Sequence, residues 1–101
     1  MAKITKNGLK KDIKEIKDLI KAFKVVEHDL NETDLKISLM NIIYRKALKL
    51  INKAIEYLNE RNDLSEGFMK DIIKYEDNIN KYVTVLSVEI AYSYIIGYLN
   101  L

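Results

Sequence analysis

Apolar side chains recur at helical spacing along the first quarter of the chain. They alternate steps of four and three residues, which places them on one face of a helix: Leu9, Ile13, Ile16, Ile20 and Phe23, extended by Val26 and Leu30. The pattern predicts an amphipathic helix over about residues 8–29. Residues 31–34 carry cap-type side chains ahead of a new apolar run, which predicts a short turn.

A longer apolar stripe begins at Ile37. Seven positions share core-type helical spacing: Ile37, Met40, Tyr44, Ala47, Ile51, Ala54 and Leu58. The stripe predicts a second helix of about 29 residues, roughly 44 Å long at the α-helical rise. The polar residues 59–63, followed by Ser65 and Gly67, predict a hairpin turn after it.

The last third of the chain keeps one helical stripe across a polar patch. Its members are Phe68, Ile72, Tyr75, Ile79, Val83, Leu86 and Ile90. The stripe predicts one helix of about 32 residues, roughly 48 Å long, unless it breaks near Asp77 and Lys81. We therefore expect a single all-α domain over residues 1–101, an elongated antiparallel bundle of three helices, or of four if that break occurs.

The C-terminal segment is apolar on two opposite sides. Residues 82–101 hold one charged residue, Glu89. At 100° per residue, Val83, Leu86, Ile90 and Tyr94 fall on one side of the helix and the second stripe falls opposite. A small bundle usually buries one arc, so the second stripe is predicted to bind a second copy or another protein through Val85, Val88, Tyr92, Ile95, Ile96 and Leu99. The alternative is that the other helices wrap most of this helix within one protomer.

Composition agrees with a helical protein and limits the chemistry. The chain has no Pro, 49% hydrophobic and 32% charged residues, and no Cys, so disulfide and thiolate chemistry are excluded. The N-terminal residues lack an apolar signal segment, which favours a cytoplasmic location. Glu89 and the neighbouring Ser, Thr and Tyr residues disfavour a membrane span, although the segment has the right length.

Positive charge is concentrated near the N-terminus. The formal net charge is only +2, but a lysine stripe runs beside the apolar stripe of the first helix: Lys10, Lys14, Lys17, Lys21 and Lys24. Such spacing can follow phosphates, which gives an alternative function as a small nucleic-acid-binding accessory protein. The opposing interpretation is that the lysine stems line a helix-helix seam and that Asp12, Glu15 and Asp18 neutralise part of the charge.

No arrangement of residues predicts catalysis, a metal or a cofactor. His28 stands among Glu27, Asp29, Glu32 and Asp34, which is explained by helix capping and helix dipoles. A second set of carboxylates lies near the predicted hairpin turn, without neighbours that would orient them for acid-base chemistry: Glu56, Glu60, Asp63 and Glu66. We expect a protein that is not an enzyme.

The start of the C-terminal segment resembles a small archaeal helical domain family of unknown function. The resemblance covers about twenty residues and rests on a Tyr-Val-x-x-Leu run followed by an apolar helix, here Tyr82, Val83, Leu86, Ile90, Ala91 and Tyr92. It implies a helical bundle and no established activity. The leading hypothesis is thus a noncatalytic helical interaction protein that forms a homodimer or binds a protein partner.

Overall fold

The computed structural model describes residues 3–101 and is all-α over that part of the chain. It contains α1 (Lys6–Val26), a 3-10 turn (Leu30–Glu32), α2 (Thr33–Glu60), α3 (Glu66–Tyr82) and α4 (Val85–Leu99). The all-α prediction is confirmed. The bundle has four helices rather than three, the alternative given for a break in the last helix, since the segment predicted as one helix forms both α3 and α4.

The first helix follows its predicted stripe. Thr5 caps α1 by accepting a hydrogen bond from the Gly8 amide at 3.0 Å. Its buried residues are Leu9, Ile13, Ile16 and Ile20. The helix ends at Val26 rather than near residue 29, and Leu30 is exposed in the 3-10 turn instead of extending the buried stripe.

The second helix is buried only along its C-terminal two thirds. Its first buried residue is Ile43, ten positions after the helix begins at Thr33. The predicted stripe is buried at Ala47, Ile51, Ala54 and Leu58. Its first member, Ile37, is instead 56% exposed. The first two turns of α2 therefore extend past the core, and Met40 is the first residue of the helix that packs against it.

A two-residue hinge separates α3 from α4. Val83 adopts the left-handed conformation, with φ at 45°, and its amide donates to the Ile79 carbonyl. Thr84 then caps α4 by accepting from the Ser87 amide, while the Ser87 hydroxyl accepts from the Thr84 amide. A left-handed backbone costs a β-branched residue about 1–2 kcal/mol. The break lies after the polar patch near Asp77 and Lys81, because the cap chemistry is at Thr84.

The four helices run alternately up and down. Asp12 pairs with Lys53 at 2.8 Å, which sets α1 antiparallel to α2. The Tyr44 hydroxyl donates to the Asn80 amide oxygen, which sets α2 antiparallel to α3. The molecule measures 49 × 26 × 22 Å, so it is elongated. The longest helix, α2, spans about 42 Å of this length at the α-helical rise, and the shorter α3–α4 hairpin lies beside its buried part.

Candidate protein interface

One end of the bundle is closed by aromatic rings, and we call it the aromatic end. It comprises the start of α3 and the end of α4, where the Phe68 ring lies 5.8 Å from that of Tyr94 and 4.8 Å from that of Tyr98. Phe68 is fully buried and the tyrosines surround it. The Tyr98 hydroxyl shares a hydrogen bond with the Ser65 hydroxyl at 2.9 Å. The Phe68 ring is thus covered, while the hydroxyls of the surrounding tyrosines reach polar partners.

Tyr94 links this cluster to an acidic side chain. Its hydroxyl donates to the Asp71 carboxylate at 3.0 Å. Burial raises the pKa of Tyr94 to about 12, and the hydrogen bond and negative charge of Asp71 add to that shift. The phenol therefore stays neutral at physiological pH and acts as a structural donor.

The opposite end of the bundle leaves its apolar side chains exposed, and we call it the open end. It comprises residues 25–42 and 82–90, where α1 and α3 end and where α2 and α4 begin. Nine of the eleven exposed large apolar residues among residues 3–101 lie in these two segments: Val25, Leu30, Leu35, Ile37, Ile42, Tyr82, Val83, Leu86 and Ile90. Such concentration at one place is typical of an interaction surface rather than of singly scattered residues.

The densest part of this surface surrounds the hinge. Tyr82, Val83, Leu86 and Ile90 form what we call the hinge stripe, in which Leu86 is 65% exposed and Ile90 is 44% exposed. Three of these four residues line an open groove of about 350 Å³ between α3 and α4, together with Tyr75, Asn78, Thr84 and Ser87. A groove with this lining can accept an apolar side chain from a partner.

The six residues predicted as the interface lie mainly inside the protomer. Val88, Ile95 and Leu99 are buried core residues, and three others are half-buried against the core: Val85, Tyr92 and Ile96. The hinge reverses the chain, so this stripe of α4 faces α1 and α2. The expectation that it is the uncovered stripe is therefore corrected, because the side of α4 left uncovered carries Leu86 and Ile90.

The lysine stripe lies along the seam between α1 and α4. All five of its residues are exposed. Lys24 pairs with Glu89 at 3.4 Å, Lys14 pairs with Asp18 at 3.0 Å, and the Lys17 ammonium lies 5.7 Å from the centre of the Tyr92 ring. Burial raises the pKa of Tyr92, and the nearby charge of Glu89 raises it further. These contacts match the interpretation in which lysine stems cover a helix-helix seam.

The candidate chemical groups are not brought together. The His28 side chain is almost fully exposed and lies 3.6 Å from the Glu27 carboxylate. The four carboxylates near the α2–α3 turn are exposed: Glu56, Glu60, Asp63 and Glu66. Within residues 3–101, no three His, Cys, Asp or Glu side chains are grouped as a metal ion would require.

Comparison of the chain with known families, proteins and structures identifies no relative. No family model matches the chain, and neither a curated protein nor a solved structure matches it. The resemblance of residues 82–92 to an archaeal helical family stays a prediction. Among the described helices, none combines the length and apolar character needed to cross a membrane.

Proposed function

We propose that this protein is a noncatalytic interaction protein that associates with a second copy of itself through its open end. The supporting observation is the concentration of exposed aliphatic side chains there, with the hinge stripe at its centre. Burial of apolar area contributes about 25 cal/mol per Å² to association. In this proposal the C-terminal helix is again the helix that contacts the partner, and the contacting side is the one that carries Leu86 and Ile90.

Self-association is favoured over a foreign partner by the absence of charge from the hinge stripe and its groove. The hinge stripe contains no charged residue, and its groove is lined by apolar and uncharged polar side chains. A symmetric dimer brings the same patch of each copy together, which requires a self-complementary surface. Uncharged apolar patches satisfy that requirement without placing like charges opposite each other.

A matched pair of isoleucine variants tests the proposal. Ile90→Glu places a charge in the hinge stripe, whereas Ile73→Glu places one on α3 outside the open end, at a residue of similar exposure, 47% against 44%. We expect Ile90→Glu to weaken dimerisation about tenfold or more, because a carboxylate would be desolvated at the contact. Sedimentation velocity over a range of micromolar concentrations measures this.

Ile73→Glu should leave the dimer affinity close to that of the unmodified chain. Circular dichroism should show that both variants keep their helical content. An unmodified chain that sediments as a monomer throughout the range would refute self-association. Equal weakening by both variants would show that the open end is not the contact.

A second candidate function is nucleic-acid binding through the lysine stripe, supported by the exposure of all five lysines on one side of α1. It predicts retardation of DNA or RNA that weakens steeply with salt and is lost in Lys14→Glu/Lys21→Glu. Retardation that does not change with this double variant would reject the stripe as the contact.

The proposed location is the cytoplasm. A chain without cysteine forms no disulfide and therefore gains no stability from an oxidising compartment. Membership of the archaeal helical family is likewise proposed, on the residues from Tyr82 to Tyr92 alone. Fractionation of the native host, with an antibody against the protein, would test the location.

A further inference from the structure

The hinge interrupts a stripe that the sequence continues. In an uninterrupted helix, Leu86 and Ile90 of α4 would lie within about 60° of Phe68 on the helix surface. Phe68 and the later member Ile79 are buried in α3, whereas Leu86 and Ile90 are exposed in α4. One continuous stripe is thus half covered and half uncovered, and the change occurs at the hinge.

Exposed apolar residues of α2 lie beside the path that α3 would follow if it continued as a straight helix. Tyr44 of α2 lies beside Asn80 of α3 through their hydrogen bond, and the two helices are antiparallel. Each step forward from Asn80 therefore corresponds to one step back from Tyr44. If α3 continued straight into α4, Leu86 would lie level with Ser38 of α2, next to Ile37, which is 56% exposed.

Straightening would also remove α4 from its own core. Val88, Ala91 and Ile95 lie on the opposite side of α4 from Leu86 and Ile90 and are buried in the protomer. An extended α4 would expose them unless α1 and α2 of another copy received it. Every contact that α4 makes with α1, α2 and α3 in one protomer, including those of Tyr94 and Tyr98 with Phe68, can be made with the same residues of a second copy.

We infer that the partner of the open end is a second copy that exchanges α4, with α3 and α4 of each copy joined into one helix over residues 66–99. This inference rests on the proposed function, since it specifies how self-association occurs. The exchange keeps the α4 core contacts, relieves the left-handed backbone at Val83, and covers the hinge stripe with the N-terminal third of α2. Short strained hinges favour such exchange.

Hinge variants separate exchange from simple docking. Thr84→Ala removes the cap of α4 without changing the apolar surface, so it favours the straight helix and should strengthen dimerisation about tenfold. Val83→Gly makes the left-handed turn easy and should weaken dimerisation by a similar factor. Each variant is refolded from denaturant at high and at low chain concentration and is measured by light scattering. Unchanged dimer affinity in Thr84→Ala would overturn the exchange.

Cross-linking tests which copy supplies α4. Lys24 of α1 and Glu89 of α4 contact each other at 3.4 Å in one protomer, and the chain has no cysteine of its own. The double variant Lys24→Cys/Glu89→Cys is treated with a short bis-maleimide, and the isolated dimer is run on a denaturing gel. Exchange predicts links between two chains.

A mixture of the two single variants, refolded together, provides the control. It should give linked dimers only if Glu89→Cys of one copy reaches Lys24→Cys of the other. A dimer with links only within single chains would overturn the exchange and leave self-association intact. Monomers at every concentration, in the unmodified chain and in Thr84→Ala, would overturn both.

Discussion

The two ends of the bundle cover apolar surface in different ways. At the aromatic end, Phe68 is buried and the tyrosines around it place hydroxyls against Ser65 and Asp71. At the open end, Leu86 and Ile90 have no polar atom to offer to water and are exposed nonetheless. A half-exposed tyrosine keeps a hydrogen bond, whereas a half-exposed aliphatic side chain gains nothing from solvent. The aromatic end therefore keeps polar partners for its tyrosines, whereas the open end exposes aliphatic side chains that have none.

The turns at the two ends show the same contrast. The aromatic end uses Asn62 and Asn100 at its left-handed positions, with φ of 57° and 56°. Asparagine tolerates this conformation because its side chain bonds locally. The open end uses Val83, a β-branched residue that the conformation disfavours. The left-handed positions at the aromatic end are therefore relaxed, whereas the one at the open end is strained.

Truncation of one side chain at each end should give the largest contrast. Phe68→Ala removes a fully buried ring and should lower the free energy of unfolding by about 3–5 kcal/mol. Leu86→Ala removes a side chain that is 65% exposed and should change the stability of the monomer by less than about 0.5 kcal/mol. Urea denaturation at low chain concentration measures both. A loss of several kcal/mol in Leu86→Ala would show that the open end belongs to the core.

Glycine at the strained turn should stabilise the monomer. Val83→Gly relieves the left-handed backbone but adds freedom to the unfolded chain, which leaves a net gain of roughly 1 kcal/mol. Asn100→Gly is the matched control at the aromatic end and should change stability little, since asparagine already fits. Both are measured by urea denaturation of the monomer. A destabilised Val83→Gly would indicate that the valine side chain contributes more than its backbone costs.

Alkaline pH should lower the free energy of unfolding through Tyr94 at the aromatic end, and this is the smallest of the three expected effects. The pKa of Tyr94 rises from 10.0 in the unfolded chain to about 12 in the folded chain. Stability from the neutral phenol is therefore complete below pH 10 and is lost as pH rises from 10 to 12. Tyr94→Phe should cost about 0.5–1 kcal/mol at neutral pH through the lost hydrogen bond.

The difference in the free energy of unfolding between Tyr94→Phe and the unmodified chain separates the titration of Tyr94 from that of the lysines. Denaturant unfolding across the alkaline range should show the advantage of the unmodified chain shrinking as pH rises. An advantage that stays constant would mean that Tyr94 is not the group responsible.

Much of the helical structure could be predicted from residue spacing. The stripe of Leu9, Ile13, Ile16 and Ile20 is buried as predicted, because an amphipathic helix has one apolar face to bury. A break in the last helix is one of the two predicted outcomes, but its position at Val83 is not predicted, because valine is a poor residue for a left-handed turn and the apolar spacing continues through it. The available signal was Thr84 followed three residues later by Ser87, a pair that caps a helix reciprocally.

The inward side of α4 could not be read from its sequence. Both of its stripes are aliphatic, so hydrophobicity does not distinguish Val88 and Ile95 from Leu86 and Ile90. The hinge determines which side of α4 faces the core, because it turns α4 back along the bundle and sets the rotation of the helix about its axis. Because the position of the hinge is not predicted, the predicted interface falls on the side of α4 that the structure buries.

The position of Ile4 and Leu101 has a practical consequence. Both pack against the core, Ile4 in a groove beside Lys53 and Leu101 in a groove beside Lys10 and Ile96, toward the aromatic end. A fluorophore, affinity handle or surface tether joined near either residue would sit at the far pole from Leu86. Immobilised protein would then present the hinge to the solution, where binding of a free copy can be measured directly.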